Sequence, residues 1–427
     1  MDLKGETASW YAVAAAMGGL YVYGAFAAGP GAFGINALHG VDSVTLAGAI
    51  AAASVVAVVG GLFAGRVRLD HPLVAPLAAA ISLPVFFTLR THVLNPDGNG
   101  FTPKFEIDVP RVGAHVTHDE MLELFVHSRF WFYTHRSWGW TVVYSYQVLS
   151  CVAGAFFVYL VFRLARRLAP GLPLLLVAGV LGGGCMQLFF GDVENYTITA
   201  GLVVLYLLAS WRYIAGEVAL WVPAVALSLA MCFHLEAGWL APTLAYLSLL
   251  SYRRTGGLRE VRWSAAFSSG LLLATAVYFQ FHGLPLLKFF SSHAGHALQP
   301  HRGMFAVSEP AAYWLDQLNL LLLLCPTLLM FVPLVVWRRI ETDERGRFVM
   351  LAAVCTLIFQ VAWKSQIGVY NDWNLYAING LMLSILIWRS AASAARTPAM
   401  RIAAFLVVAI GWLHTYAWIT SNHFHAQ

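Results

Sequence analysis

The chain reads as a succession of apolar runs, each about as long as a bilayer-crossing helix and set apart by short polar clusters. A helical span needs about 20 mostly apolar residues. By that measure spans are predicted near 10–29, 43–65, 71–90, 138–162, 171–190, 196–214, 218–235, 236–252, 265–283, 317–336, 348–366, 374–391 and 401–419. That makes thirteen. The short pair meeting at Phe233-His234-Leu235-Glu236 is where the count can drop, giving a range of 11–13. Only two connections are long, roughly 91–137 and 284–316.

Basic residues orient these spans, because Lys and Arg collect in the short loops on the cytoplasmic side. With the N-terminus inside, 18 of the 26 basic residues fall on inner connections, among them Arg66, Arg163, Arg167, Arg254, Arg339, Arg345 and Arg389. The acids run the other way, with 13 of 21 on the outer side, and of 15 histidines only His71 sits at an inner connection. A net charge of +5 is therefore mostly an insertion signal, and no nucleic-acid motif accompanies it.

Composition agrees with the pattern. The 427 residues are 59% hydrophobic and 11% charged, against about 45–50% and about 25% in soluble domains. Charges this sparse cannot coat two or three soluble domains, so a soluble enzyme, a disordered chain and a disulfide-rich secreted module are excluded. Cys151, Cys185, Cys232, Cys325 and Cys355 all lie in apolar runs and read as small buried hydrophobes. The polar start, Met1 to Trp10, shows no cleavable signal, so the first apolar run is expected to stay in the protein. The whole chain, 1–427, is expected to form one all-α polytopic domain in a plasma membrane, the bacterial inner membrane in type, with its chemistry outside.

Five polar constellations stand out. In the 91–137 segment, Thr117 and Glu120 have capping-box spacing and predict a helix start, followed by an apolar face suited to the membrane interface. The cap accounts for Glu120, and Glu123 reads as a first-turn acid. Asp119 has no such duty. Next, Asp192-Val193-Glu194-Asn195-Tyr196 joins two spans in a few residues, which holds two acids at membrane level, where charge is costly. Asp192 can be read as the N-cap of the following span; Glu194 reads as facing a cavity beside Asn195 and Tyr196. Third, His234 and Glu236 are either a satisfied buried pair or part of the same cavity. The 284–316 segment, a possible lid, carries Lys288, His293, His296, His301 and Arg302, which suit closure over an anion or, less specifically, a divalent metal. Last come Lys364, Asp372, Trp373 and Asn374, more polar groups than an aromatic belt needs.

Transfer of a sugar from a lipid phosphate needs such a set. Phosphate leaves readily, one carboxylate must take the acceptor hydroxyl's proton, and cations or a metal must steady the departing phosphate. The long acidic first outer loop, the basic turn at Arg163 to Arg167, and the short Asp192 to Tyr196 loop together resemble the GT-C superfamily of integral-membrane glycosyltransferases. The run Asp372-Trp373-Asn374-Leu375-Tyr376 is similar to a late outer-loop motif of bacterial members. The resemblance covers roughly 71–391. It implies a GT-C-like fold, a polyprenyl-phosphate-linked sugar donor, inversion, no required cofactor, and an acidic residue of the first outer loop at the reaction centre. Carried onto this sequence, that is Asp119 as base, with Glu120, Asp192 and Glu194 beside it and Lys288, Arg302 or Lys364 neutralising the phosphate. The chain departs from the family layout in its two extra spans within 1–70 and in lacking a soluble outer domain, which points to a small lipid or glycan acceptor. Two other readings stay open: a proton-coupled secondary transporter, and another polyprenyl-lipid-processing enzyme.

Overall fold

The computed structural model describes residues 3–26, 30–67, 69–94, 98–102, 105, 119–282, 306, 309–365 and 367–424. Helix covers most of the described residues of each predicted span. In chain order the α-helices are α1 (Leu3–Phe26), α2 (Ser43–Phe63), α3 (Val74–Thr88), α4 (Met121–Trp138), α5 (Val142–Leu168), α6 (Pro173–Leu181), α7 (Thr197–Ile214), α8 (Trp221–Phe233), α9 (Ala241–Thr255), α10 (Arg259–Phe281), α11 (Ala311–Leu324), α12 (Phe331–Val336), α13 (Glu344–Ala362), α14 (Ala377–Ala394) and α15 (Pro398–Phe424). Among the described residues seven helical stretches are long and apolar enough to cross a membrane unaided, and α11 with Leu328–Val336 makes an eighth as a bent pair. The chain is an integral membrane protein.

Local chemistry sets the ends. The Asp42 carboxylate accepts from the Val44 and Thr45 amides at 3.1 and 2.9 Å and starts α2. Thr141 does the same for α5 through Tyr144 N–H at 3.1 Å. Gly139, at φ 69°, closes α4 in the left-handed conformation that glycine adopts without strain. Two predicted spans are not continuous α-helix. The 171–190 stretch is the nine-residue α6 followed by a 3-10 turn over Gly184–Phe189. The 317–336 stretch bends by 88° between α11 and α12. Cys325 precedes Pro326, whose ring pushes it out of helical conformation to φ −129°, ψ 72°.

The centre of the bundle is α14, every residue of which is buried except Ser393. Gly179 of α6 meets the Trp388 ring so closely that a Cβ there would overlap it, and the indole N–H donates to Thr327 Oγ1 at 3.1 Å. Outside this core, α15 packs between α1 and α2, and α2 is largely exposed, as a lipid-facing helix is.

Most of the basic residues gather at one end of the bundle, where acids pair with them. There lie the ion pairs Arg339–Glu6, Arg166–Asp70, Arg167–Glu217, Arg254–Glu344 and Arg389–Glu341. Glu6 is fully buried and receives Arg339 Nε at 2.6 Å, which ties the start of α1 to the segment after α12. The acidic connections gather at the other end. Because overpacking a core costs about 1–3 kcal/mol, Gly179→Val should lower the unfolding temperature of the purified protein. Gly171→Ala, with open space around it, should leave that temperature unchanged in the same thermal melt.

Candidate active site

Four connections converge at the acidic end: the bend before α4, the segment between α6 and α7, the turn between α8 and α9, and the turn before α14. What docks them is Glu123. The first N–H groups of any helix lack intrahelical partners, and Tyr196, at the N-cap of α7, supplies no side-chain cap. Glu123 reaches in from α4 instead. Its carboxyl accepts from Ile198 N–H at 3.0 Å and from the Thr199 and Thr197 hydroxyls at 2.9 and 3.5 Å, and it is fully buried. The sequence reading of Glu123 as a first-turn acid of its own helix misses this role. The reading of Asp192 as the cap of that span is also corrected, since Glu123 occupies the place.

With α4 anchored, the two residues before it lie over the α6–α7 connection. The helix begins at Met121, with Glu120 at its N-cap making no side-chain cap. The Thr117 capping box therefore does not describe the start, and Thr117 itself lies outside the described residues. The Glu120 carboxylate accepts from Asn195 Nδ2 at 3.0 Å and faces His234 Nε2 at 3.6 Å. Asn195 Oδ1 accepts from the Tyr146 hydroxyl at 3.0 Å, and Tyr146 stacks on His127 at 4.0 Å. A backbone bond from Leu235 N–H to Asp119 O at 2.8 Å closes the arrangement from the other side. Asp119 keeps its side chain exposed.

The remaining acids are enclosed. His234, Glu236 and Asp192 lie in the connections, beyond the ends of the spanning helices. His234 Nδ1 accepts from Glu236 N–H at 3.1 Å, so Nε2–H is the edge turned to Glu120. Burial opposes charge on this ring, but the carboxylates of Glu120, Glu236 and Asp119 outweigh it and lift its pKa to about 9. A second proton, on Nδ1, breaks the bond to Glu236. The ring also lies 4.7 Å from that of Tyr196. Burial pushes Glu236 up to about 8, with His234 opposing and Asp372 adding to the rise. Asp192 is pushed up to about 7, again by burial, although Asn374 and Val193 N–H pull it down. Asn374 Nδ2 stands 3.5 Å from Asp192 Oδ2. Glu194 is buried and lies within electrostatic reach of Tyr146 and Tyr196.

The expected residues thus meet as Asp119, Glu120, Asp192, Glu194, Asn195, Tyr196, His234, Glu236, Asp372 and Asn374. Trp373 is buried edge-on against Trp418 at 5.0 Å, where it packs the turn. Lys364 is held by Glu309 at 2.5 Å. Lys288, His293, His296, His301 and Arg302 lie outside the described residues. Among the described residues no three His, Cys, Asp or Glu side chains are grouped to hold a metal ion.

Glu123 gives a pH test. Burial raises its carboxyl from 4.5 to about 7, against the pull of Ile198 N–H and the Thr199 hydroxyl. The folded state therefore holds a proton that the unfolded state releases. The resulting stability is complete below about pH 4.5 and is lost as pH rises through about 7. Thermal melts of wild type should fall over that window, and Glu123→Gln, permanently neutral, should flatten the fall. Glu123→Ala should cost roughly 1–3 kcal/mol throughout, by leaving buried donors unpaired.

No family model matches the chain, and no curated protein does. Two solved structures do: the ArnT protein of Cupriavidus metallidurans bound to undecaprenyl phosphate, and the same protein in the apo state. Both are 12% identical and cover 82% of this chain, matching 77% and 76% of theirs, with TM-scores of 0.57 and 0.55. At that identity the likeness speaks to the fold alone. This chain shares the fold of the ArnT structures.

Proposed function

We propose that the protein is a membrane glycosyltransferase that moves a sugar from a polyprenyl-phosphate donor to a lipid or glycan acceptor, with Asp119 as base. One observation carries the reading: four connections bring a carboxylate cluster to one end of a GT-C fold, and Asp119 is its exposed member beside enclosed acids. A general base needs an ionised carboxylate open to the acceptor. Asp119 is exposed and open to an acceptor, whereas Asp192 and Glu236 are buried and pushed toward their neutral forms. Glu120, bound to Asn195 and turned to His234, fixes the backbone beside Asp119.

In this mechanism the acceptor hydroxyl gives its proton to Asp119 as its oxygen attacks the anomeric carbon, and the phosphate leaves with the bonding pair from the opposite face. The configuration inverts. Protonated carboxyls at Asp192 and Glu236, with the Asn374 amide, offer donors to sugar hydroxyls, and Glu194, Asn195 and Tyr196 line the same connection. Charge on the departing phosphate is met by Lys288, Arg302 or Lys364, and His293, His296 and His301 add donors. No divalent metal is required, so transfer should proceed at full rate in chelator. Undecaprenyl phosphate in the ArnT structure supports a polyprenyl phosphate as the lipid partner. The positive-inside pattern puts the basic end in the cytoplasm, with the N-terminus, and the acid cluster on the outer face of a bacterial inner membrane.

The test is transfer in nanodiscs with radiolabelled polyprenyl-phosphate sugars and membrane lipids as acceptors. Asp119→Asn should lose about 10²–10⁴-fold of the rate, the usual contribution of a general base. Wild-type rates in that variant would remove Asp119 from the role. Absence of transfer from every donor, with proton-coupled uptake into liposomes, would make the protein a transporter instead.

A further inference from the structure

A second recess opens at the acidic end, apart from the carboxylate cluster. It has a volume of about 460 Å³ and is lined by Phe33, Asn36, Asp316, Gly368, Tyr370 and Asn371, within the about 300–1,000 Å³ of small-molecule sites. We propose that this recess is an accessory carbohydrate subsite, holding neutral pyranose units of the acceptor away from the hydroxyl that reacts. The proposal rests on the transferase reading above and adds to it that the acceptor carries glycan.

The lining has the two chemistries a pyranose presents. A sugar ring has a C–H face, which suits an aromatic π-face, and a rim of hydroxyls that need both donors and acceptors. Phe33 and Tyr370 lie 5.0 Å apart at 57°, and Tyr370 is 46% exposed, which leaves part of its ring open to the recess. Around them stand planar polar groups. Asn371 spends its amide N–H on Ile367 O at 3.0 Å and keeps its carbonyl oxygen. The Asn36 amide and the Asp316 carboxylate make no hydrogen bond among the described residues. An acyl tail has no use for three such groups. A phosphate is disfavoured, because the charged group in the lining is the Asp316 carboxylate and no cation accompanies it.

The recess is also built into the site. Asp372 N–H donates to Gly368 O at 3.0 Å, closing a turn that carries Tyr370 and Asn371 on one side and Asp372 on the other. Gly368, at φ 95°, is where that turn requires glycine. The opposite wall comes from the α1–α2 connection, pinned to α11 by Asn319 Nδ2 donating to Gly31 O at 2.9 Å. The extra N-terminal spans thereby acquire a role in recognition.

Saturation-transfer NMR on the full chain in nanodiscs, without donor, tests this with maltotriose, cellotriose, mannotriose and chitotriose. At least one trisaccharide should receive saturation at its ring protons. The signal should fall about tenfold in Tyr370→Ala and in Asp316→Ala, as losing a stacking face or a hydrogen-bonded group implies. Circular dichroism and thermal melts confirm that both variants fold, and Asp119→Asn should bind like wild type. Absence of signal from all four sugars, or signals unchanged in both folded variants, overturns the subsite. Because no transfer is measured, that failure is separate from failure of the transferase assay.

Discussion

The acid cluster depends on one carboxyl, that of Glu123, which closes the open N-terminus of a helix to which it does not belong. Helix α7 starts with amides that neither its own backbone nor Tyr196 satisfies, and Glu123 takes Ile198 N–H and two threonine hydroxyls in a site without solvent. Leaving such donors unpaired in a buried site costs more than the bond itself contributes. That penalty holds α4 against α7, and α4 in turn carries Asp119 and Glu120 into place. The same anchorage sets the depth of the other acids. Asp192 and Glu194 cannot turn outward while the segment that holds them lies beneath α4.

A gradient of burial across the cluster follows. Asp119 is exposed, Glu120 half-buried, and Glu123, Asp192, Glu194 and Glu236 enclosed. Burial raises the carboxyls of Asp192 and Glu236 toward their neutral forms. His234 gives one ring edge to Glu120 and the other to the Glu236 amide.

Much of this architecture was legible in residue order. Helix covers most of the described residues of the thirteen apolar runs, although seven stretches, or eight with the bent pair, are long and apolar enough to cross a membrane. The constellations at 119–120, 192–196, 234–236 and 372–374 do come together. The misreadings share one cause. Asp192 was given the cap of α7, and Glu120 the cap of its own helix, because capping was sought within a few residues along the chain. The true cap comes from 75 residues away. A threonine on each side of Ile198, with no acid in capping position, was the available signal that α7 takes its cap from elsewhere. The break at Cys325-Pro326 was equally open to a reading from proline chemistry, but the apolar count passed over it.

The sequence by itself determined the helices and the crowding of cations into a few connections, because hydropathy and the distribution of Lys and Arg are read along neighbouring residues. It also marked the connections that hold carboxylates at membrane level, where charge is costly. Only the tertiary structure decided which of those carboxyls are enclosed and which is open, that Glu123 anchors the site, and that Phe33 and Tyr370 share a recess. Those outcomes rest on contacts between segments far apart in the chain. A hydrogen bond or a desolvation cost exists only once both partners are in place.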